Sequence, residues 1–236
     1  MKQNEIERKI IGEIVEYLKS EQINLTTNNR DGRINSIENE DQVTDLIRKY
    51  NSTSKLLNEQ GLEIYVPSAR DWYDFSIQSK NGVEHFFTPV NIKISAFSSA
   101  DNCSSKTGVY YTLTGMLPMS HGISNGMQWE PYFRLLDENM GKNKERDYYY
   151  LVVNKTDTTD IFYTSLKTIN KLTPNANNLP FQCKWNDNRV QVSRNYDEAK
   201  NYILSVFKDS IYKDEKRMLF DKHILKHLKG YNKNNG

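Results

Sequence analysis

Apolar residues recur every three to four positions over residues 5–19, placing Ile6, Ile10, Ile14 or Val15, and Leu18 on one stripe; this spacing predicts an amphipathic helix. A polar turn around Asp31 and Gly32 separates it from a second predicted helix, from about Glu38 to Tyr50, whose start is dense in acids. The period then shortens. "LEIYV" ahead of Pro67, "DWYDFSI" from Trp72 and "HFFTPVNIKIS" read as three successive strands, and Pro89 marks the first half of the third as an edge or a bend. Three strands in succession predict an antiparallel or mixed sheet.

Beyond them, "SSADNCSSKTGVYYTLTG" reads as a helix, with Ser and Asp as cap candidates and Gly115 as its end. A Gly- and Met-rich loop leads to the amphipathic "WEPYFRLLDENM". "DYYYLVVNK" predicts a buried strand and "TDIFYTSL" its partner. "TPNANNLP" is a loop by composition, "RVQVSR" a short strand, and residues 196–211 and 214–228 are helical. No internal repeat or linker interrupts the pattern. The expected fold class is a single α/β domain with helices on both sides of a central sheet.

Composition agrees with a folded chain. With 236 residues it can form one large domain or two small ones, and 37% apolar residues with 15 Tyr and 9 Phe exceed what disordered segments carry. The first twenty residues mix charge with Ile at helical spacing, so no signal peptide is read there, and no apolar window reaches membrane-spanning length. Cys103 and Cys183 belong to no CxxC or Cys/His cluster, so neither a zinc site nor a disulfide framework is expected; a reducing cytoplasm is the expected location. Net charge is +2, which permits a polyanionic partner without requiring one. The basic C-terminal stretch and "KNKER" at 142–146 read first as solvated faces and only weakly as DNA contacts.

The candidate chemistry lies in "DFSIQSKNGVEHFFTPVNIKIS". Sixteen residues separate Asp74 from Asn91, enough for one strand to end, a turn at "KNG" and a second strand to return beside the first. Alternation on that second strand sets Asn91 and Lys93 on one face and Ile92 and Ile94 on the other. Phosphodiester hydrolysis uses this equipment: a carboxylate for Mg²⁺, further oxygen ligands, and an ammonium near the attacking water and the scissile phosphate. Two His at 223 and 227 have the spacing of zinc ligands, but Ile224 stands where HExxH needs Glu, and His121 has no partner ligand nearby. No GxxxxGK[ST] or GxGxxG loop is present.

Asp74 at a strand end, "NIKIS" on the next strand and the "GRINS...E" helix upstream together resemble a type II restriction endonuclease of the PD-(D/E)xK nuclease superfamily. "NIKISAFSSADNCSSKTGVYYTLTG" adds to the likeness, which covers roughly residues 30–115. The resemblance implies a restriction-endonuclease-like central mixed β-sheet flanked by helices, spanning residues 1–236 as one nuclease domain. Its catalytic core would lie at about 36–115, with DNA-recognition and C-terminal helical elements at 116–236. It makes Asp74 the metal-binding acid and Lys93 the superfamily lysine, and Asn91 stands where Asp or Glu is usual. Tyr73 replaces the nominal Pro.

The resemblance further implies Mg²⁺ held by Asp74, the backbone carbonyl of Ile92 and Glu40, with Glu38, Asp41 and Asp71 as competitors for the helix acid. On strand alternation Asp71 is expected to face away from Asp74. Cleavage would leave 5′-phosphates, on double-stranded DNA, by a homodimer whose companion is a cognate DNA methyltransferase. A structure-specific repair or junction nuclease, and a catalytically idle DNA-binding module, are the alternatives. Base recognition calls for polar side chains aimed into a groove; the loops "MLPMSHGISNGMQW" and "LTPNANNLPFQCKWNDNR" are the candidate readers, and Lys106, Asn125, Gln128, Asn177, Lys184 and Arg189 the candidate residues.

Overall fold

A computed structural model describes residues 3–26, 32–68, 71–175, 180–211 and 216–229. The chain divides into two compact units, Met1–Ser99 with Tyr149–Thr164, and Ala100–Tyr148 with Ser165–Gly236. The residues expected to form the catalytic core therefore continue past Ser99 into the second unit.

The first unit begins with α1 (Gln3–Ser20) and α2 (Gly32–Thr53), followed by the short α3 (Lys55–Glu59), which Ser54 caps by accepting from the Leu57 N–H. The apolar stripe of α1 is buried as its spacing predicts: Ile10, Ile14 and Leu18 have no exposed surface. Its sheet is mixed and five-stranded, in the order β1 (Leu62–Tyr65), β2 (Phe75–Ser79), β3 (Phe87–Ser95), β5 (Tyr149–Asn154) and β6 (Asp157–Ser165). The β1–β2 and β2–β3 pairs are antiparallel and β3–β5 is parallel. The helices and the sheet enclose one core that includes Val43, Ile47, Phe75, Ile77, Val90, Ile92, Leu151 and Val153.

Pro89 sits in the part of β3 that precedes its pairing with β5, which starts at Val90 opposite Tyr149. Val90 turns its C=O toward the β2 side, where it accepts the Asp74 N–H, so the missing N–H of Pro89 falls on the side where β5 has not yet joined.

The second unit holds a three-stranded sheet, β4 (Ala100–Ser104), β8 (Phe181–Lys184) and β7 (Thr173–Pro174), in that order. Its helices are α4 (Lys106–Thr114), α5 (Trp129–Asn139), α6 (Tyr196–Ile211) and α7 (Lys216–His223). Three expectations change here. "ADNCS" is a strand and not a helix start, because it pairs with β8; the cap is Ser105, whose hydroxyl accepts from the Gly108 N–H. "FQCK" is the central strand of this sheet and not loop. "RVQVSR" forms no strand: Val190 is exposed, and Arg194 ties the segment down by donating to the Lys167 and Ile169 carbonyls. Gly115 ends α4 at φ 68°, and a Cβ there would meet the Asn143 carbonyl at 2.0 Å, so only glycine fits. Among the described residues no helix is long and apolar enough to cross a membrane.

Candidate active site

β3 outlasts β2. The ladder between them runs from Gln78 opposite Phe87 to Phe75 opposite Val90, and β3 continues to Ser95. Beyond that point β2 no longer faces Ile92, whose N–H on that side needs an acceptor in a largely buried place. Asp74 supplies it. Its own N–H donates to the Val90 carbonyl at 3.0 Å, and its Oδ2 accepts the Ile92 N–H at 2.6 Å. A strand residue turns its N–H and C=O to the same side, so the Ile92 carbonyl faces the gap that Asp74 fills.

Alternation along β3 holds as the sequence predicts. Val90 and Ile92 enter the core with 0% and 2% exposure, while Asn91 and Lys93 are half-buried on the opposite face. Asn91 stands opposite Tyr150, and Lys93 opposite Val152, in β5. The Oδ1 of Asn91 is buried and makes no hydrogen bond. A buried amide oxygen without a donor costs free energy and is an open ligand position.

Burial pushes the Asp74 carboxyl above its ordinary value, opposed first by the Ile92 N–H and then by the Lys93 charge. Burial therefore costs the ionised carboxylate more than those two partners return, an imbalance that a cation beside it would reverse. Carboxylate, amide and backbone oxygens form a hard donor set that suits Mg²⁺, which takes one or two carboxylates and keeps several waters. Among the described residues no group of three or more His, Cys, Asp or Glu is gathered for a metal, so a cation here depends on that mixed set.

A cavity of about 550 Å³ opens beside Asp74 and is lined by Glu40 and Asp41 from α2 and by Ser68, Asp71, Tyr73 and Asp74. It brings Glu40 and Asp74 to one space, whereas Asn91, Lys93 and Glu38 are not among its lining residues. Asp71 lines it too, contrary to the expected opposite orientation. Residues 71–74 precede β2 as a bent segment, so strand alternation does not govern them. Burial, followed by the charge of Asp71, pushes the Tyr73 phenol up to about 12 and keeps it neutral.

The described base-reading candidates all belong to the second unit. Lys106 is buried at the start of α4; its Nζ donates to the Met127 carbonyl at 2.5 Å and lies 4.2 Å from the centre of the Trp129 ring. Asn125 is exposed and accepts from the Thr107 N–H and hydroxyl. Gln128 is exposed as the residue before α5, and Lys184 and Arg189 are exposed on either side of a 3-10 turn, Trp185–Asn188. Asn177 lies outside the described residues. His227 pairs with Asp137 at 2.8 Å.

Sequence reasoning passed over a second buried carboxylate. Glu7 has no exposed surface and accepts from Gln3 Nε2 at 2.9 Å, the Thr88 hydroxyl at 2.9 Å and the Tyr149 phenol at 3.0 Å. Its signal was its place, three and four residues before Ile10 and Ile11 on the inward stripe. Thr88 shares a face of β3 with Val90 and Ile92, so Glu7 works on the sheet face opposite Asn91 and Lys93. No protein-family model matches this chain and no curated protein matches it, so the functional reading rests on the residues themselves.

Proposed function

We propose that this chain is a Mg²⁺-dependent endonuclease of the restriction type, cutting double-stranded DNA at specific sequences on a restriction-endonuclease-like version of its mixed α/β fold. One observation carries the reading: Asp74 reaches across the end of β2 to the Ile92 N–H, on the stretch of β3 that presents Asn91 and Lys93. Asp74, the Ile92 carbonyl and the unpartnered Asn91 Oδ1 would hold the metal, with Glu40 as the helix acid. Bound there, Mg²⁺ supplies Lewis-acid activation of water and neutralises charge on the leaving oxygen. Lys93 places an ammonium beside that set, where it orients the attacking water and stabilises negative charge developing on the phosphoryl oxygens. The products would carry 5′-phosphates. Cutting both strands at one site calls for two such centres and hence a homodimer matched to the two-fold axis of the DNA, and a cognate methyltransferase would protect the host. Such an enzyme would work in the cytoplasm.

A second reading has its own support. Asn91 replaces a carboxylate and Asp74 already serves as an acceptor for the ladder, as in a DNA-binding module without catalysis. Purified protein and a Lys93→Ala variant, incubated with unmethylated phage DNA in Mg²⁺ or in EDTA, separate the two. Discrete fragments that require both Mg²⁺ and Lys93 establish the endonuclease. Intact DNA that the protein retards in a gel establishes the binding module.

A further inference from the structure

Asp74 belongs to no strand, yet its carboxylate meets one particular N–H. Among the described residues, the Trp72 N–H turns back to Asp71 Oδ1, and the Asp74 N–H ties the bent segment 71–74 to Val90 of β3. Three aromatic rings add to that hold. Tyr73 is 7% exposed and meets Phe87 edge-on, with centroids 5.4 Å apart and planes at 84°; it meets Trp72 at 5.1 Å and 80°. Trp72 closes the triangle against Phe87 at 6.1 Å. Edge-to-face pairs of this kind are directional as well as apolar, so they fix the orientation of the chain that carries them.

Phe87 opens β3, and by alternation it shares a face with Asn91 and Lys93. The strand that carries the two polar site residues at one end thus grips, at the other, the segment that carries the acid. We infer that the Tyr73 ring, held between Trp72 and Phe87, is a positioning residue that sets Asp74 on the Ile92 N–H and so completes the cation site; this rests on Asp74 being the metal-binding acid. On this inference the work is the ring's and not that of the phenol, which hydrogen-bonds the Ser76 side chain of β2. An aromatic side chain here replaces the proline expected before the acid, with packing in place of a restricted backbone.

Amide hydrogen exchange at Ile92, measured by NMR on the full chain, reads the position of Asp74 without any metal, and a parallel Mn²⁺ titration reads the site. In Tyr73→Leu, Ile92 exchange should quicken about tenfold and Mn²⁺ should bind about tenfold more weakly, the scale on which outer-shell partners act. The β1–β2 ladder amides should stay protected, and Tyr73→Phe should match the wild type in both measurements. Phe87→Leu removes the facing ring and should reproduce the leucine result, which keeps the test decisive if Tyr73→Leu does not fold. Unchanged Ile92 exchange in a folded ring variant overturns the inference. If exchange responds as expected while the wild type takes up no Mn²⁺, the positioning role stands and the metal-site reading fails.

Discussion

Replacing Asp74 separates its two jobs. Asp74→Ala removes the acceptor of the Ile92 N–H, a 2.6 Å bond, and leaves that donor facing the space beyond β2. An unsatisfied buried donor costs about 1–3 kcal/mol. Asp74→Asn keeps an oxygen in place for Ile92 and removes the charge that burial disfavours, so it should be at least as stable as the wild type near neutral pH. The two variants should therefore differ by about 1–3 kcal/mol, at roughly 2–4 °C per kcal/mol for a chain of this size. Both should lose the proposed cleavage.

The pH dependence has a definite sign. The Asp74 carboxyl holds its proton more tightly in the folded than in the unfolded state, so the folded protein binds more protons as this group titrates. Stability then rises as pH falls, and the cost of the ionised form fades as pH drops through the raised folded pKa. Urea unfolding of the wild type and Asp74→Asn should show the variant ahead at neutral pH and the lead closing toward about pH 4. Equal stability of the Asn and Ala variants would refute the ladder-cap role. A lead that widens on acidification would refute the electrostatic argument.

Asn91→Asp puts a carboxylate next in the strand to Ile92, whose N–H Asp74 accepts, where a buried amide oxygen lacks a donor, so on the proposed site it should lower the melting temperature in EDTA and strengthen Mg²⁺ binding about tenfold. The Mg²⁺-induced rise in melting temperature measures this, and an unchanged rise counts against Asn91 as a ligand. The Asn51 amide accepts the Ile64 N–H at 2.8 Å and donates to the Ile64 carbonyl at 3.3 Å, covering the outer edge of β1. Asn51→Leu should cost about 1–3 kcal/mol and open that edge to self-association. Urea unfolding and light scattering test it, and a stable, monodisperse variant would contradict it. Glu7→Ala removes the buried acceptor of the Thr88 and Tyr149 hydroxyls and should destabilise by roughly 3 kcal/mol, while the folded fraction keeps the proposed cleavage; a loss below about 1 kcal/mol in urea would contradict this.

How much of this was legible depended on the range of the interaction. The α1 stripe and the alternation of Val90, Asn91, Ile92 and Lys93 follow from helix and strand periods, so their buried and half-buried faces could be assigned from spacing. Pro89 could be placed because a residue without an N–H tolerates few positions in a sheet. "ADNCS" and "FQCK" were misread because each is four or five residues long and becomes a strand by pairing with the other, some eighty positions away. "RVQVSR" shows the reverse: a period of two with no neighbouring strand to use it.

The sequence by itself determined which residue types the site could contain and which face of β3 would show them, since both follow from side-chain chemistry and the two-residue period. Tertiary structure alone decided that β3 outlasts β2, that Asp74 meets the Ile92 N–H across that step, and that Glu40 and Asp71 share the cavity beside it. Those relations depend on where one strand stops against another and on rings closing over a bent segment. Both are long-range packing outcomes that no local pattern in the chain encodes.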